Sequence, residues 1–325
     1  MASDPLVLAP VTAVPAVKLF TQNQRLVNSR SCQDVPMQRI LNIPIQDPLL
    51  KCWANWLAPE KQPFYLTSTQ STELALDISP PPPFSPEWRD TFHLWGVTCP
   101  QVALLSESDF MALPVATRAE LLRIQLEHRR GQVMDVDDWR DLLPEVSEQA
   151  GGEHFVWWPS LFADQEWAVI SRWSSHDRLP CQHQAVSEDV WDALGTVLPR
   201  ARELAGTFAS RSGPNCLGTV MASAGVVGAE HEWMLHGPFE EWLATRTVHA
   251  SEVEAPGTVL VWRNHDGQAQ HAAVTLGGGY VLHKPSQCWD SPRQVIRLDD
   301  VHHQFDDDDT VVRCFTLGSS WVSGS

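Results

Sequence analysis

The stretch HAAVTLGGGYVLHKP, His271 to Pro285, narrows the fold more than any other part of the chain. Two apolar runs flank Gly277-Gly278-Gly279, and consecutive glycines accept the positive φ angles of a tight reversal. His271 to Leu276 and Tyr280 to Pro285 should therefore pair as an antiparallel hairpin. Further short β runs, Thr258 to Trp262, Val295 to Leu298 and Val311 to Leu317, surround it, with turn residues between them. A helical run capped by Ser187, with Glu188 and Asp189 in its first turn, precedes these strands. Helices followed by a meander give an α+β domain over residues 187–325.

Upstream the organisation is set by SPPPPFSP, Ser79 to Pro86, which can continue neither a helix nor a central strand. It separates an N-terminal segment of unassigned fold, residues 1–85, from a tryptophan-rich region, 86–186, expected to be mainly helical and unassigned in function. Pro86 to Val97 reads as a short helix. Pro114 to Arg130 reads as a longer one, with Val115, Ala119, Leu122 and Leu126 on one face and Gly131 as its stop. His154 to Trp173 fits a loop and then a helix packed on a neighbour. The polar segment DRLPCQHQ, 177–184, marks the second boundary.

Composition removes several classes of function. Forty acidic residues against 23 basic ones give a formal charge of −17, which argues against general binding to nucleic acid or to anionic membranes. No apolar run approaches the roughly 20 residues needed to cross a bilayer, so membrane insertion is not expected. Met1 to Phe20 is apolar in part, but Asp4 and three prolines interrupt it and no basic region leads it. A Sec signal peptide is therefore not expected, and the chain reads as cytoplasmic when synthesised, with export only by a non-Sec route. Seven scattered cysteines without a C-x-x-C pair should be free thiols.

The chemistry concentrates in three places. Cys216 lies in SGPNCLGTVMASAG, where Gly213 and Pro214 precede a run of small residues, so it should open a helix. Unpaired amides and the positive end of the helix dipole favour a thiolate there, which should lower the thiol pKa. Such a cysteine can also be an inert core residue, and the histidines downstream shift the balance. His271 opens one arm of the hairpin and His283 closes the other, so pairing brings the two imidazoles together. A base with its own orienting partner is what thiol activation requires.

These residues resemble the NlpC-type cell-wall cysteine peptidases, papain-like enzymes that cut peptidoglycan stem peptides next to D-glutamate. NCLG at 215–218 is similar to the family's nucleophile motif, PGTVLVW at 256–262 to its Pro-Gly-Asp-led strand, and HAAVTLGGGYVLHKP to its His-led strand. QVIRLDDV, 294–301, is similar to the family's closing stretch. The order Cys, His, polar residue is the unpermuted one, unlike that of the lecithin:retinol acyltransferase-like relatives. The sequence departs from the pattern at Asn215 and Thr258, where aspartate is usual, and at Leu217, where serine is usual.

The resemblance implies a papain-like domain, its nucleophile helix packed on a small antiparallel sheet. It also implies Cys216 as nucleophile, His271 as base and His283 as orienting residue, with no cofactor and a peptidoglycan-derived peptide or other amide as substrate. Trp262 and Trp289 are candidates to line the substrate groove. A transferase or deamidase, and a non-catalytic binding module whose residues 1–186 meet a protein partner, remain alternatives. Cys288 follows His283 closely but lies in a loop, CWDSP, and is the weaker nucleophile. Histidines 231, 236, 249, 265, 302 and 303, with Cys181 and His183, lack the spacing of a zinc site, so no metal is expected. Asp306 to Asp309 reads as a solvated loop.

Overall fold

The computed structural model describes residues 37–149, 152–163, 165–307 and 309–318. The expectations for Met1 to Phe20, and those for Cys32 and Asp308, fall outside them. In chain order come β1 (Arg39–Ile40), β2 (Ile43–Pro44), α1 (Asp47–Leu57), β3 (Lys61–Tyr65), α2 (Ser68–Leu74), α3 (Pro86–Thr91), β4 (Val102–Ser106), α4 (Glu107–Ala112) and α5 (Val115–Glu127). Then follow β5 (Val133–Asp135), α6 (Val146–Gln149), β6 (His154–Val156), α7 (Glu166–Ser175), α8 (Glu188–Leu194), α9 (Ala201–Leu204) and β7 (Thr207–Phe208). The last third holds α10 (Cys216–Ser223), α11 (His236–Arg246), β8 (Thr247–His249), β9 (Thr258–Arg263), β10 (Ala269–Gly277), β11 (Tyr280–His283), β12 (Pro292–Arg297), α12 (Leu298–Phe305) and β13 (Val311–Leu317). Segregated helices and antiparallel strands make this an α+β protein.

Seven strands form an antiparallel sheet in the order β7-β12-β11-β10-β9-β13-β8. The expected hairpin forms as β10 and β11, with Gly277, Gly278 and Gly279 at φ 96°, 60° and 76°. A side chain at Gly279 would meet only the far end of the Arg297 side chain, which can move aside, so it is the positive φ that calls for glycine there. The sheet is covered on both faces, which is why β9 and β10 read as continuous apolar runs rather than alternating ones. On one face Val259, Val261, Ala272, Val274, Leu276, Leu282 and Val295 pack with Leu217 and Val220 of α10. On the other, Leu260, Trp262, Ala273, Val281 and Ile296 pack with Leu298, Val301 and Phe305 of α12.

The two boundaries placed in the sequence are not seams in the structure. Residues on either side of SPPPPFSP pair with each other, β3 with β4, and Ser79 bridges to Val102. The proline run is a connection inside a packed unit. Nor does the chain divide near residue 186, because Trp289, from the loop before β12, packs with Trp53 and Trp56 of α1 and with Trp173 of α7. From Met37 onward the described residues belong to one compact unit.

The mainly helical reading of 86–186 also needs correction, since β4, β5 and β6 lie within it. Their partners are β3 for β4 and each other for β5 and β6, and a two-stranded pair of short strands carries little local signature. The helix expected at 86–97 breaks at His93, which takes a left-handed φ of 52°, and the helix from Val115 ends at Glu127, before Gly131. Among the described residues no helix is long and apolar enough to cross a membrane.

Trp289 is therefore expected to hold the N-terminal and C-terminal parts together. Trp289→Ala should cost about 3–5 kcal/mol, the range for emptying a buried aromatic site, and a chain beginning at Ser85 should fail to fold. Urea unfolding followed by circular dichroism measures both, and a truncated chain that unfolds cooperatively would contradict the single unit.

Candidate active site

Cys216 does open a helix. Asn215 is the N-cap of α10, its Oδ1 accepting from Gly218 N at 3.0 Å while its Nδ2 donates to the Met234 carbonyl at 2.8 Å. An aspartate at this position could cap but could not donate, so asparagine serves a contact that the similar family's usual residue would leave unmade. Gly218 has an equally local reason. A Cβ there would lie 2.4 Å from the Ala229 carbonyl oxygen, so only glycine lets the first turn of α10 sit against residues 229–231.

The thiol is buried, with Cys216 9% exposed. Burial pushes its pKa up, and the backbone N–H groups of Ala272, Leu217 and Cys216, with the charge of Lys284, pull it down by less. The expectation of a depressed thiol pKa at the helix terminus is thus overturned: desolvation outweighs the amides that the terminus supplies. The Ala272 amide belongs to β10, one residue beyond His271, so the sulfur lies against the strand that carries the candidate base.

On β10, His271 points to the α12 face, where its ring stacks on Phe305 with centroids 3.6 Å apart and planes within 3°. Its Nε2 lies 3.1 Å from Nδ1 of His283, so the hairpin brings the two imidazoles together. Register explains it: His283 is opposite Ala273, the residue that shares His271's face two positions on. Cys216 packs with the α10 face of the sheet, so β10 stands between its sulfur and the His271 ring; no hydrogen bond joins the two among the described residues, and Nδ1 is the ring atom that the His283 contact leaves open.

The relay continues to a residue that sequence reasoning passed over. Gln294 on β12 is the register partner of His283, and its Nε2 is 3.1 Å from His283 Nε2. Extending the hairpin register by one strand through QVIRLDDV would have exposed it. All three side chains are buried, and burial lowers the pKa of both imidazoles. His271 falls well below the usual histidine value through desolvation and then through its neighbour's charge, while His283 falls to about 3 through desolvation. The resting state is a neutral thiol with two neutral rings. The proton positions follow from the Gln294 amide: with NH₂ toward His283, protons sit on Nδ1 of each ring, whereas a half-turn presenting Oε1 moves them to Nε2 and frees His271 Nδ1 as an acceptor.

Lys284, adjacent in sequence to His283, is also buried, and Nζ donates to the carbonyls of Ser286 and Cys288 at 2.6 and 2.9 Å. Desolvation brings its pKa to about 7. Its signal in the sequence was only a charged residue at the end of an apolar strand.

The remaining candidates fall elsewhere. Trp262 is fully buried, bonded through Nε1 to Asp306 at 2.6 Å and packed under α12, so it lines no groove. Asp306 thereby has a structural task as well as a place in an acidic loop. Trp289 is 1% exposed and donates to Thr91 Oγ1 at 2.9 Å. Cys288 is pushed up to about 12 by burial and then by Asp290 and Asp90, which leaves it a poor nucleophile.

His265 and His302 lie on Asp309 and Asp306, His249 stacks on Phe315, and no group of three or more metal-ligating side chains occurs among the described residues. Cys181 and His183 do meet, Sγ to Nδ1 at 3.2 Å, with the Val295 amide also on the sulfur, but Cys181 is 1% exposed and burial raises its pKa. The six described cysteines are free. Comparison with known protein families, with characterised proteins and with solved structures gives no match to this chain.

The depressed imidazoles set a pH dependence of stability. An unfolded chain takes up protons on these histidines as pH falls through about 6.5, whereas the folded His283 does so only near 3. Stability from this pair is therefore complete above the unfolded value and is lost as pH falls below it. Urea midpoints should drop more steeply between pH 7 and pH 5 in the wild type than in His283→Gln. Equal slopes would show that the ring is not held neutral.

Proposed function

We propose that the protein is a cysteine hydrolase of papain-like architecture that cleaves an amide or isopeptide bond, with Cys216 as nucleophile, His271 as base and His283 as its orienting partner. The observation that carries this reading is the hydrogen-bonded His271, His283 and Gln294 series starting one residue before the amide that touches the Cys216 sulfur. Buried imidazole pairs are costly to maintain, and a thiol at a helix start with an oriented imidazole as base is what acyl transfer needs; here the two meet the same strand from opposite faces.

In the catalytic tautomer His271 carries its proton on Nε2, donated to His283 Nδ1, and leaves Nδ1 bare. As Sγ attacks the substrate carbonyl carbon, the thiol proton passes to His271 Nδ1. The carbonyl oxygen becomes an oxyanion, for which the Cys216 backbone N–H, in the first turn of α10, is the proposed donor. The C–N bond then breaks, with His271 returning the proton to the leaving amine, and an acyl-thioester remains. Water, deprotonated by His271, attacks that thioester, and the proton goes back to sulfur as the acid leaves.

Because thiol and ring are both neutral at rest, proton transfer accompanies attack instead of preceding it. His271 stands on the α12 face of β10 and Cys216 on the α10 face, so the transfer requires the start of β10, beside the irregularity between Ala269 and His271, to turn the ring over to the sulfur's side on substrate binding; a side-chain swing alone does not reach it. The substrate class follows the family resemblance: a peptidoglycan stem peptide or a related γ-glutamyl amide.

Purified sacculi and stem-peptide fragments, digested and followed by mass spectrometry, test the proposal. Free amine product without an acceptor identifies hydrolysis, and an acyl-acceptor adduct identifies a transferase. Cys216→Ala should fold and lose turnover. A folded Cys216→Ala that still turns over would eliminate the nucleophile assignment. His283→Asn should retain much more activity than His271→Asn, because asparagine can hold one hydrogen bond but cannot act as base near neutral pH. Equal losses would show the two roles to be misassigned.

A further inference from the structure

Lys284 is a buried ionisable group near Cys216 that the proposed reaction does not use. The chain holds four lysines, at 18, 51, 61 and 284; Lys51 and Lys61 are exposed, whereas Lys284 has no exposed surface. Its place follows from the hairpin register. Ala273 faces His283, so the next pair along sets Lys284 opposite Ala272. Ala272 and Leu282 both belong to the α10 face of the sheet, and alternation puts Lys284 in the same row as Leu282. The backbone N–H of that same Ala272 reaches the Cys216 sulfur. Sulfur and lysine therefore meet one residue of β10 from the same side, while His271 stands on the other.

The surroundings of Nζ leave it a charge without a counter-charge. Two of its N–H bonds go to the Ser286 and Cys288 carbonyls, a third position on the nitrogen stays uncommitted, and among the described residues it makes no ion pair. The other ionisable groups nearby are already matched or neutral: Asp290 is paired with Arg178, Arg293 donates to Thr207 Oγ1 and the Glu230 carbonyl, and Cys288 is a neutral thiol. Across the sheet, His271 and His283 are neutral rings. Cys216 is the only ionisable side chain of α10. A buried ammonium among carbonyls is unfavourable, and a negative sulfur offsets that, each charge stabilising the other through space.

We propose that Lys284 is the charge partner of Cys216, a positioning residue whose ammonium acts through the sulfur and holds negative charge on it. The inference rests on Cys216 being the nucleophile. The ammonium acts twice in the proposed reaction: when Sγ gives its proton to His271 during attack, and when the thioester breaks and the sulfur leaves with the bonding electrons before taking that proton back.

The rate at which iodoacetamide alkylates Cys216, followed by peptide mapping from pH 5 to 9 on the full-length protein, tests the pairing without substrate. Below about 7 the ammonium is present and the thiolate fraction climbs with pH; above it, loss of the ammonium offsets the gain, so the wild-type profile should bend near 7 and level off. Lys284→Met keeps the side-chain length and removes the charge. At pH 6 it should be alkylated at least about tenfold more slowly, the low end of the effect of an opposite charge close by, and its profile should climb without the bend. His271→Gln should keep the bend. A folded Lys284→Met with the wild-type profile, or a bend that disappears in His271→Gln, would overturn the proposal and leave the hydrolase reading to the sacculus digestion. A Cys216 that resists alkylation throughout would overturn both. Should Lys284→Met fail to fold, ¹H–¹³C spectra of the lysine-labelled wild type decide it: the Lys284 Cε signal must titrate at the pH of the bend, and titration elsewhere refutes the pairing.

Discussion

The register of the β10–β11 hairpin is the constraint on which the rest of the candidate active site depends. Three glycines at positive φ fix where the chain reverses, and with the reversal fixed, Ala273 must face His283. The same register carried one strand further puts Gln294 opposite His283. A slip by one residue would turn every side chain of the return strand to the other face. His283 would then lie in the α10 core, Leu282 would take its place under α12, and the imidazole pair would be lost. Arg297 reinforces the turn by donating to the Gly278 carbonyl at 2.9 Å.

A second constraint opposes the first. Burying two imidazoles and a glutamine on the α12 face of the sheet, and a thiol with Lys284 near it on the α10 face, strips them of water, and desolvation pushes each ionisable group toward its neutral form. The helix terminus that sequence reasoning credited with making a thiolate contributes in the expected direction, through the amides of Cys216 and Leu217, but loses to burial. A dry site and a charged resting pair are competing demands. The structure resolves them toward dryness, which raises the premium on proton transfer within the reaction itself.

What could be read from the sequence was local. The hairpin, the helix start at Cys216 and the meeting of His271 with His283 each depend on residues within a short span: glycines for the turn, a capping asparagine, alternation along a strand. What escaped was non-local. That β3 pairs with β4 across a run of prolines, or that Trp289 packs between α1 and α7, is decided by surfaces that meet only in the folded chain. Trp262 was misjudged for the same reason, because the strand position alone does not reveal that α12 closes over it and that Asp306 takes its indole N–H. Of the tryptophans, read as a general sign of large buried anchors, seven meet in one cluster at the join between α1, α7 and the loop before β12.

The packing of Trp289 links the loop before β12 to the N-terminal part of the chain. The loop from Ser286 to Ser291 provides the carbonyls of Ser286 and Cys288 that hold Lys284, and it provides Trp289 to the wall of a cavity that Trp139 and Trp173 also line. Gln287 in the same loop donates to Asp90, while its carbonyl accepts from Gly213, three residues before Cys216. The loop is therefore anchored at both the Lys284 end and the Gly213 end, and its six residues, fixed by side-chain and backbone hydrogen bonds, border the tryptophan-lined cavity on one side and lead to Cys216 on the other.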